Sequence, residues 1–117
     1  MRIQGITIEV SDLAKAKEFY ELVLGFEPGA FYAPTKWQPY NFGDQYFAVR
    51  EVADKRPRDD FDITNFELDE IDELWQRVKD AAEVAEPLEV TPYGTYKFVI
   101  KDPDGYRLGF VRTPRKA

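Results

Sequence analysis

The sequence predicts an α+β fold built from two tandem βαβββ modules, residues 1–55 and 61–117, within a single domain of 117 residues. Two observations carry this expectation. Apolar residues alternate in short runs at the period of strands, and each half opens with one stretch at helical period. The second half also repeats the first: Gly5-Ile-Thr-Ile-Glu-Val-Ser-Asp-Leu13 aligns with Ile63-Thr-Asn-Phe-Glu-Leu-Asp-Glu-Ile71 at an offset of 58. The ends agree as well, since Gly43 to Arg50 aligns with Gly105 to Arg112. Units this small do not bury a sheet alone, so the pair implies packing about a pseudo-twofold axis.

Each element follows from local pattern. Ile6, Ile8 and Val10 alternate with Gly5, Thr7 and Glu9, as in a half-buried strand. Ser11 or Asp12 caps a helix whose apolar face is Leu13, Ala16, Phe19, Tyr20, Val23 and Leu24, and Gly25 ends it. Strands are expected at Phe26 to Tyr32, Trp37 to Phe42 and Gln45 to Val52. A polar linker, Ala53 to Asp60, precedes the second module. There Asp69 is expected to cap a helix carrying Ile71, Leu74, Trp75, Val78 and Ala82, followed by strands at Pro87 to Thr91, Tyr96 to Lys101 and Arg107 to Arg112.

Composition narrows the chemistry. The chain has no His and no Cys, which removes imidazole bases and ligands, thiolate nucleophiles, disulfides and iron–sulfur clusters. Catalysis would rest on Asp, Glu, Lys, Tyr, Ser or Thr, and any metal would be a hard cation held by oxygen. A net charge of −6 argues against nucleic acid. With neither a long apolar run nor a leader, no membrane is expected and the cytoplasm is the expected location.

Two motifs carry a family resemblance. Leu13 to Phe26, with Phe19-Tyr20 and Leu24-Gly25-Phe26, resembles the helix and turn of the glyoxalase / bleomycin-resistance / extradiol-dioxygenase (vicinal oxygen chelate) superfamily. Pro92-Tyr93-Gly94, Phe98 and Asp102-Pro103-Asp104-Gly105 resemble its C-terminal hairpin. These residues also have plain structural roles, as helix core and as a turn. The resemblance implies a curved mixed sheet around a cavity and a homodimer. It further implies four strand positions that hold metal in metal-dependent members. Carried over by alignment and strand parity, those positions are Gly5, Phe47, Ile63 and Gly109, none of which has a donor side chain. No metal and no cofactor are therefore expected, and glyoxalase and dioxygenase activities are disfavoured.

The same parity turns Thr7, Glu9, Gln45, Phe47, Asn65, Glu67, Arg107 and Val111 toward the cavity. Aromatic residues, Trp37 and Tyr96 among them, cluster on the surrounding strands and loops. The expected ligand-binding set is Thr7, Glu9, Trp37, Phe47, Asn65, Glu67, Tyr96 and Arg107, and carboxylates beside aromatic rings favour an aromatic or cationic small molecule. Three functions stay open on this reading: metal-free binding or sequestration of such a molecule, as in the bleomycin-resistance type; a metal-independent isomerase or lyase with Glu9 or Glu67 as general base; and an interaction or regulatory module with a vestigial cavity.

Overall fold

Ile8 and Val10 are buried while Glu9 between them is exposed, so the first strand packs one side and leaves the other open. The computed structural model describes residues 1–54 and 62–113. It is an α+β structure with two compact units, Met1–Pro57 and Arg58–Ala117, each built as one module. Most of the expected linker, 55–60, lies outside the described residues.

The first unit contains β1 (Gly5–Val10), α1 (Leu13–Lys17), β2 (Trp37–Phe42) and β3 (Gln45–Glu51). Its sheet runs β1-β3-β2, with β1 parallel to β3 and β2 antiparallel to it. Two carboxylates hold the start of α1. Asp12 accepts the Lys15 N–H at 3.1 Å and Glu51 accepts the Leu13 N–H at 2.8 Å, filling donors that a helix N-terminus leaves open. The helix then widens into a π-helical turn over Glu18–Val23, in which the Leu24 N–H reaches the Phe19 carbonyl at 3.0 Å. Widening brings the adjacent residues Phe19 and Tyr20 both into the core, at 7% and 0% exposure. Gly25, at φ 76°, then reverses the chain.

The strand expected over Phe26 to Tyr32 is not formed. The segment runs beside β2 through separate contacts, Gly29 N–H to Pro39 O at 2.9 Å and Tyr32 N–H to Trp37 O at 2.8 Å, with isolated bridges at Pro28 and Tyr32. Pro28 has no N–H to continue a ladder. Beneath the helix, Tyr20, Phe26, Tyr40 and Phe47 form one ring cluster, with Tyr20 5.3 Å from Phe47 and 5.8 Å from Tyr40 between centroids. Polar groups within it are satisfied in series. Tyr40 donates its hydroxyl to Glu21 at 3.0 Å, Glu21 pairs with Lys17 at 2.9 Å, and Lys17 donates to the buried Gln38 at 3.0 Å. The Gln38 amide donates to the carbonyls of Gly29 and Pro39. Burial, and then the bond to Glu21, push the Tyr40 hydroxyl well above the ordinary tyrosine value.

The second unit contains β4 (Ile63–Glu67), α2 (Ile71–Val78), β5 (Glu83–Val90), β6 (Tyr96–Lys101) and β7 (Arg107–Arg112). Its sheet runs β4-β7-β6-β5, with β4 parallel to β7 and the remaining pairs antiparallel. Phe110 stacks on both Phe66 and Phe98, and Trp75 of α2 covers Phe98 at 5.1 Å. Helix α2 ends at Val78, earlier than expected, and its N-cap is Glu70 without a side-chain capping bond, instead of Asp69. The buried Asp102 folds the hairpin turn by accepting the N–H groups of Asp104 and Tyr106 at 2.9 and 2.8 Å.

Strand β5 begins at Glu83, ahead of the expected Pro87, and two irregularities interrupt its pairing with β6. Glu83 pairs with Lys101, Glu86 with Val99 and Glu89 with Lys97. Extra residues between these pairs convert a three-residue spacing into one face of the sheet, so all three glutamates share a side. No described helix is long and apolar enough to cross a membrane.

Candidate functional site

Cross-strand register defines the uncovered face of each sheet. In the first unit the residues on the side away from the helix form three rows across β1, β3 and β2: Gly5–Tyr46–Asn41, Thr7–Ala48–Pro39, in which Ala48 and Pro39 are buried, and Glu9–Arg50–Trp37. Glu9 and Arg50 are joined at 2.9 Å, and the Trp37 indole donates to Thr7 Oγ1 at 3.1 Å. Three of the expected residues, Thr7, Glu9 and Trp37, therefore stand together. Trp37 opens β2, where the strand was expected to begin.

Phe47 is not with them. It is 2% exposed and packs on Tyr20 and Phe26, on the helix-covered side. The expectation failed because the Gly43/Gly105 alignment misjudged the hairpins. Two residues join β2 to β3, whereas five join β6 to β7. The residue that shares a row with Thr7, as Gly109 does with Asn65, is Ala48. A one-residue slip in register exchanges the two faces of a strand. Gln45, in the same parity as Phe47, is displaced from the open face by the same slip.

In the second unit the rows run across β4, β7, β6 and β5. One is Glu67–Val111–Lys97–Glu89, the next is Asn65–Gly109–Val99–Glu86, and the last is Ile63–Arg107–Lys101–Glu83. All of the first row and the two ends of the second, Asn65 and Glu86, closed by the turn from Thr91 to Thr95, line a cavity of about 600 Å³ that also includes Tyr93. Arg107 shares this face but stands outside the cavity lining, and its Nε is buried without a hydrogen-bond partner among the described residues. Tyr96 is on the opposite face. It pairs with Arg112, whose guanidinium lies 4.1 Å over its ring and 3.7 Å from Asp72 of α2. Its expected ligand contact is thus replaced by a cation–π contact on the helix side.

Sequence reading missed Tyr46 and Arg50 in the first unit and Glu86 and Glu89 in the second. A signal for the glutamates exists in Glu83, Glu86 and Glu89 at intervals of three. Without knowledge of the bulges, that interval does not read as one strand face.

With the register corrected, the positions that the resemblance assigns to metal ligands are Gly5, Ala48, Ile63 and Gly109, all without donor groups. The ground above the two glycines is also taken. A Cβ at Gly5 would collide with the Tyr46 ring, and one at Gly109 would collide with the Asn65 amide and lie 3.2 Å from an Ile63 methyl. The residues present at these positions do not fit a metal. No group of three or more Asp or Glu in metal-holding geometry occurs among the described residues.

An α+β chain of two modules, each a mixed sheet covered by one helix on one face, defines the class of protein. The sequence model of the Glyoxalase/Bleomycin resistance protein/Dioxygenase superfamily matches residues 2–110, and the chain belongs to that superfamily. Solved structures share the fold at low identity. A protein of unknown function from Agrobacterium tumefaciens str. C58 has a TM-score of 0.84 at 22% identity, covering 97% of this chain and 95% of its own. TioX from Micromonospora sp. ML1 has 0.77 at 17%, covering 97% and 100%. A lactoylglutathione lyase from Agrobacterium tumefaciens has 0.76 at 20%, covering 95% and 92%. Among curated proteins, none matches the chain.

Proposed function

We propose that this protein binds a small cationic or aromatic molecule without a metal, sequestering it instead of transforming it, in the manner of a bleomycin-resistance-type member of the superfamily. The observation that carries the reading is the row Glu67–Val111–Lys97–Glu89 with Glu86 beside it, lining a cavity of about 600 Å³. Three carboxylates face one ammonium there, and no ion pair links any of the four among the described residues. A cation entering the cavity finds uncompensated negative charge beside the apolar Val111 and the Tyr93 ring. Vacant donor positions support the metal-free part of the proposal. Glu9 and Glu67 are both exposed, and Glu9 is tied to Arg50, whereas a carboxylate general base is drawn from a desolvated setting. Dimerisation and a cytoplasmic location belong to the same proposal.

A thermal-shift comparison tests it. Spermidine, as a non-aromatic cation, and matched anions of similar size are titrated against the protein in the presence of EDTA. Stabilisation by the cation of about 3 kcal/mol at a hundredfold excess over its Kd, lost in Glu67→Gln and Glu89→Gln, is expected. Equal shifts with anions, or a requirement for divalent metal, would overturn the proposal.

A further inference from the structure

On the side of the second sheet away from its helix, two cations stand face to face with little to offset them. Arg107 of β7 and Lys101 of β6 are directly opposite in the antiparallel register, a placement in which like charges repel. Lys101 reaches Glu83 only at 3.9 Å, and the Glu83 side chain is 71% exposed, so that ion pair contributes little. Arg107 has less. Its other neighbour in the row is Ile63, the next row offers it Asn65, Gly109 and Val99, and no ion pair involves it among the described residues. Its Nε is buried without a hydrogen-bond partner there, whereas buried donors are ordinarily satisfied. The acidic cavity begins one row away. Asn65 and Glu86, the two ends of that row, belong to the cavity lining, and the Asn65 amide lies over Gly109, so close that a Cβ on the glycine would collide with it.

From this pairing we infer that Arg107 and Lys101 form a carboxylate-binding subsite at the edge of the cavity, and that the ligand is a zwitterion whose ammonium lies among the cavity glutamates while its carboxylate lies on the two cations. With Nε buried, the guanidinium has its two Nη groups left to offer, and their parallel N–H bonds match the two oxygens of a carboxylate. Lys101 adds a point charge beside them. Adjacent rows on one face of a strand are about 7 Å apart, so a chain of a few methylenes reaches from the Glu86 row to the Arg107 row. The net charge of −6 opposes a free anion. A carboxylate borne by a molecule that also carries an ammonium arrives without that opposition. The inference rests on the small-molecule-binding reading above and adds to it the second charged group of the ligand and the residues that select it.

Calorimetric titration of the full chain compares 6-aminohexanoate with hexylamine, which has the same ammonium on a chain of the same length but no carboxylate. The wild type is expected to bind 6-aminohexanoate about tenfold more tightly, as for a hydrogen-bonded charge pair. Arg107→Gln is expected to bring the two affinities to within about twofold of each other, and Lys101→Gln to narrow the gap in the same direction. Circular dichroism melts show which variants are folded at the titration temperature, and Lys101→Gln keeps the test meaningful if Arg107→Gln is not. An advantage for 6-aminohexanoate that survives both substitutions, or a loss that falls equally on the two compounds, overturns the assignment. No advantage over hexylamine in the wild type, while spermidine still stabilises the protein, overturns this inference alone. Saturable binding of none of the three compounds overturns both readings.

Discussion

The Glu51 carboxylate, at the end of β3, accepts the backbone N–H of Leu13 at 2.8 Å and so anchors the start of α1 to the sheet. That bond first, and the bond from Lys36 at 3.0 Å second, hold the carboxyl below its ordinary value of 4.5. A carboxyl depressed in the folded state contributes stability that is present above the unfolded value and lost as pH falls through the lower folded one. Melting curves between neutral pH and pH 3 are expected to show the wild type losing stability below about pH 4.5. Glu51→Gln should melt lower at neutral pH and show a shallower acid slope; parallel pH profiles for the two proteins would exclude the anchoring role.

Tyr40 offers an alkaline counterpart. Its hydroxyl is raised by burial and by the bond to Glu21, so its contribution is complete below the unfolded tyrosine value and declines as pH rises past about 10. Tyr40→Phe leaves the buried side of Glu21 short of a donor and should cost about 1–3 kcal/mol in urea denaturation at neutral pH. The difference between wild type and variant should narrow above pH 10, and a constant difference would point to packing alone.

Gly5 and Tyr46 are expected to be energetically coupled. Gly5→Ala forces the ring from its seat and should destabilise by about 1–3 kcal/mol. In a Tyr46→Ala background the same change should cost much less, a coupling of at least about 0.5 kcal/mol in a double-mutant cycle. Additive costs would mean that the ring does not lie over the glycine.

The position of Phe47 on the covered face is tested by truncation. Phe47→Ala should lose about 3–5 kcal/mol of stability, as for a buried aromatic, while leaving the spermidine affinity of the folded protein unchanged. A mild effect on stability combined with weakened binding would return Phe47 to the open face.

Much of this architecture is written locally. The Ile8/Val10 alternation, the Asp12 cap and the Gly25 stop are short-range signals, and each appears in place. Apart from the cap and the early end of α2, the failures share one physical origin, since they concern pairing between strands and not the character of a strand. The side of Phe47 depended on how many residues turn the hairpin. The common side of Glu83, Glu86 and Glu89 depended on bulges, and the failure of Phe26 to Tyr32 to form a strand depended on Pro28 meeting β2. Tyr96 was legible as a strand aromatic but not as the seat for Arg112, a partner 16 residues away in sequence. Thr7, Glu9, Asn65 and Glu67 reached the open faces because their strands begin each module, where alignment of the halves is unbroken.

The two hairpins have a consequence for exchange between the two halves. Opening strands of the modules correspond at an offset of 58, but the third strand of the first and the last strand of the second correspond at 61. Recombination between the halves would preserve inside and outside if it crossed within the first strand. A crossover guided by the glycines of the hairpins would turn the later strand over, sending Phe47 to water and Arg50 inward. The repeats are thus not exchangeable copies: a few turn residues tie each half to its own place.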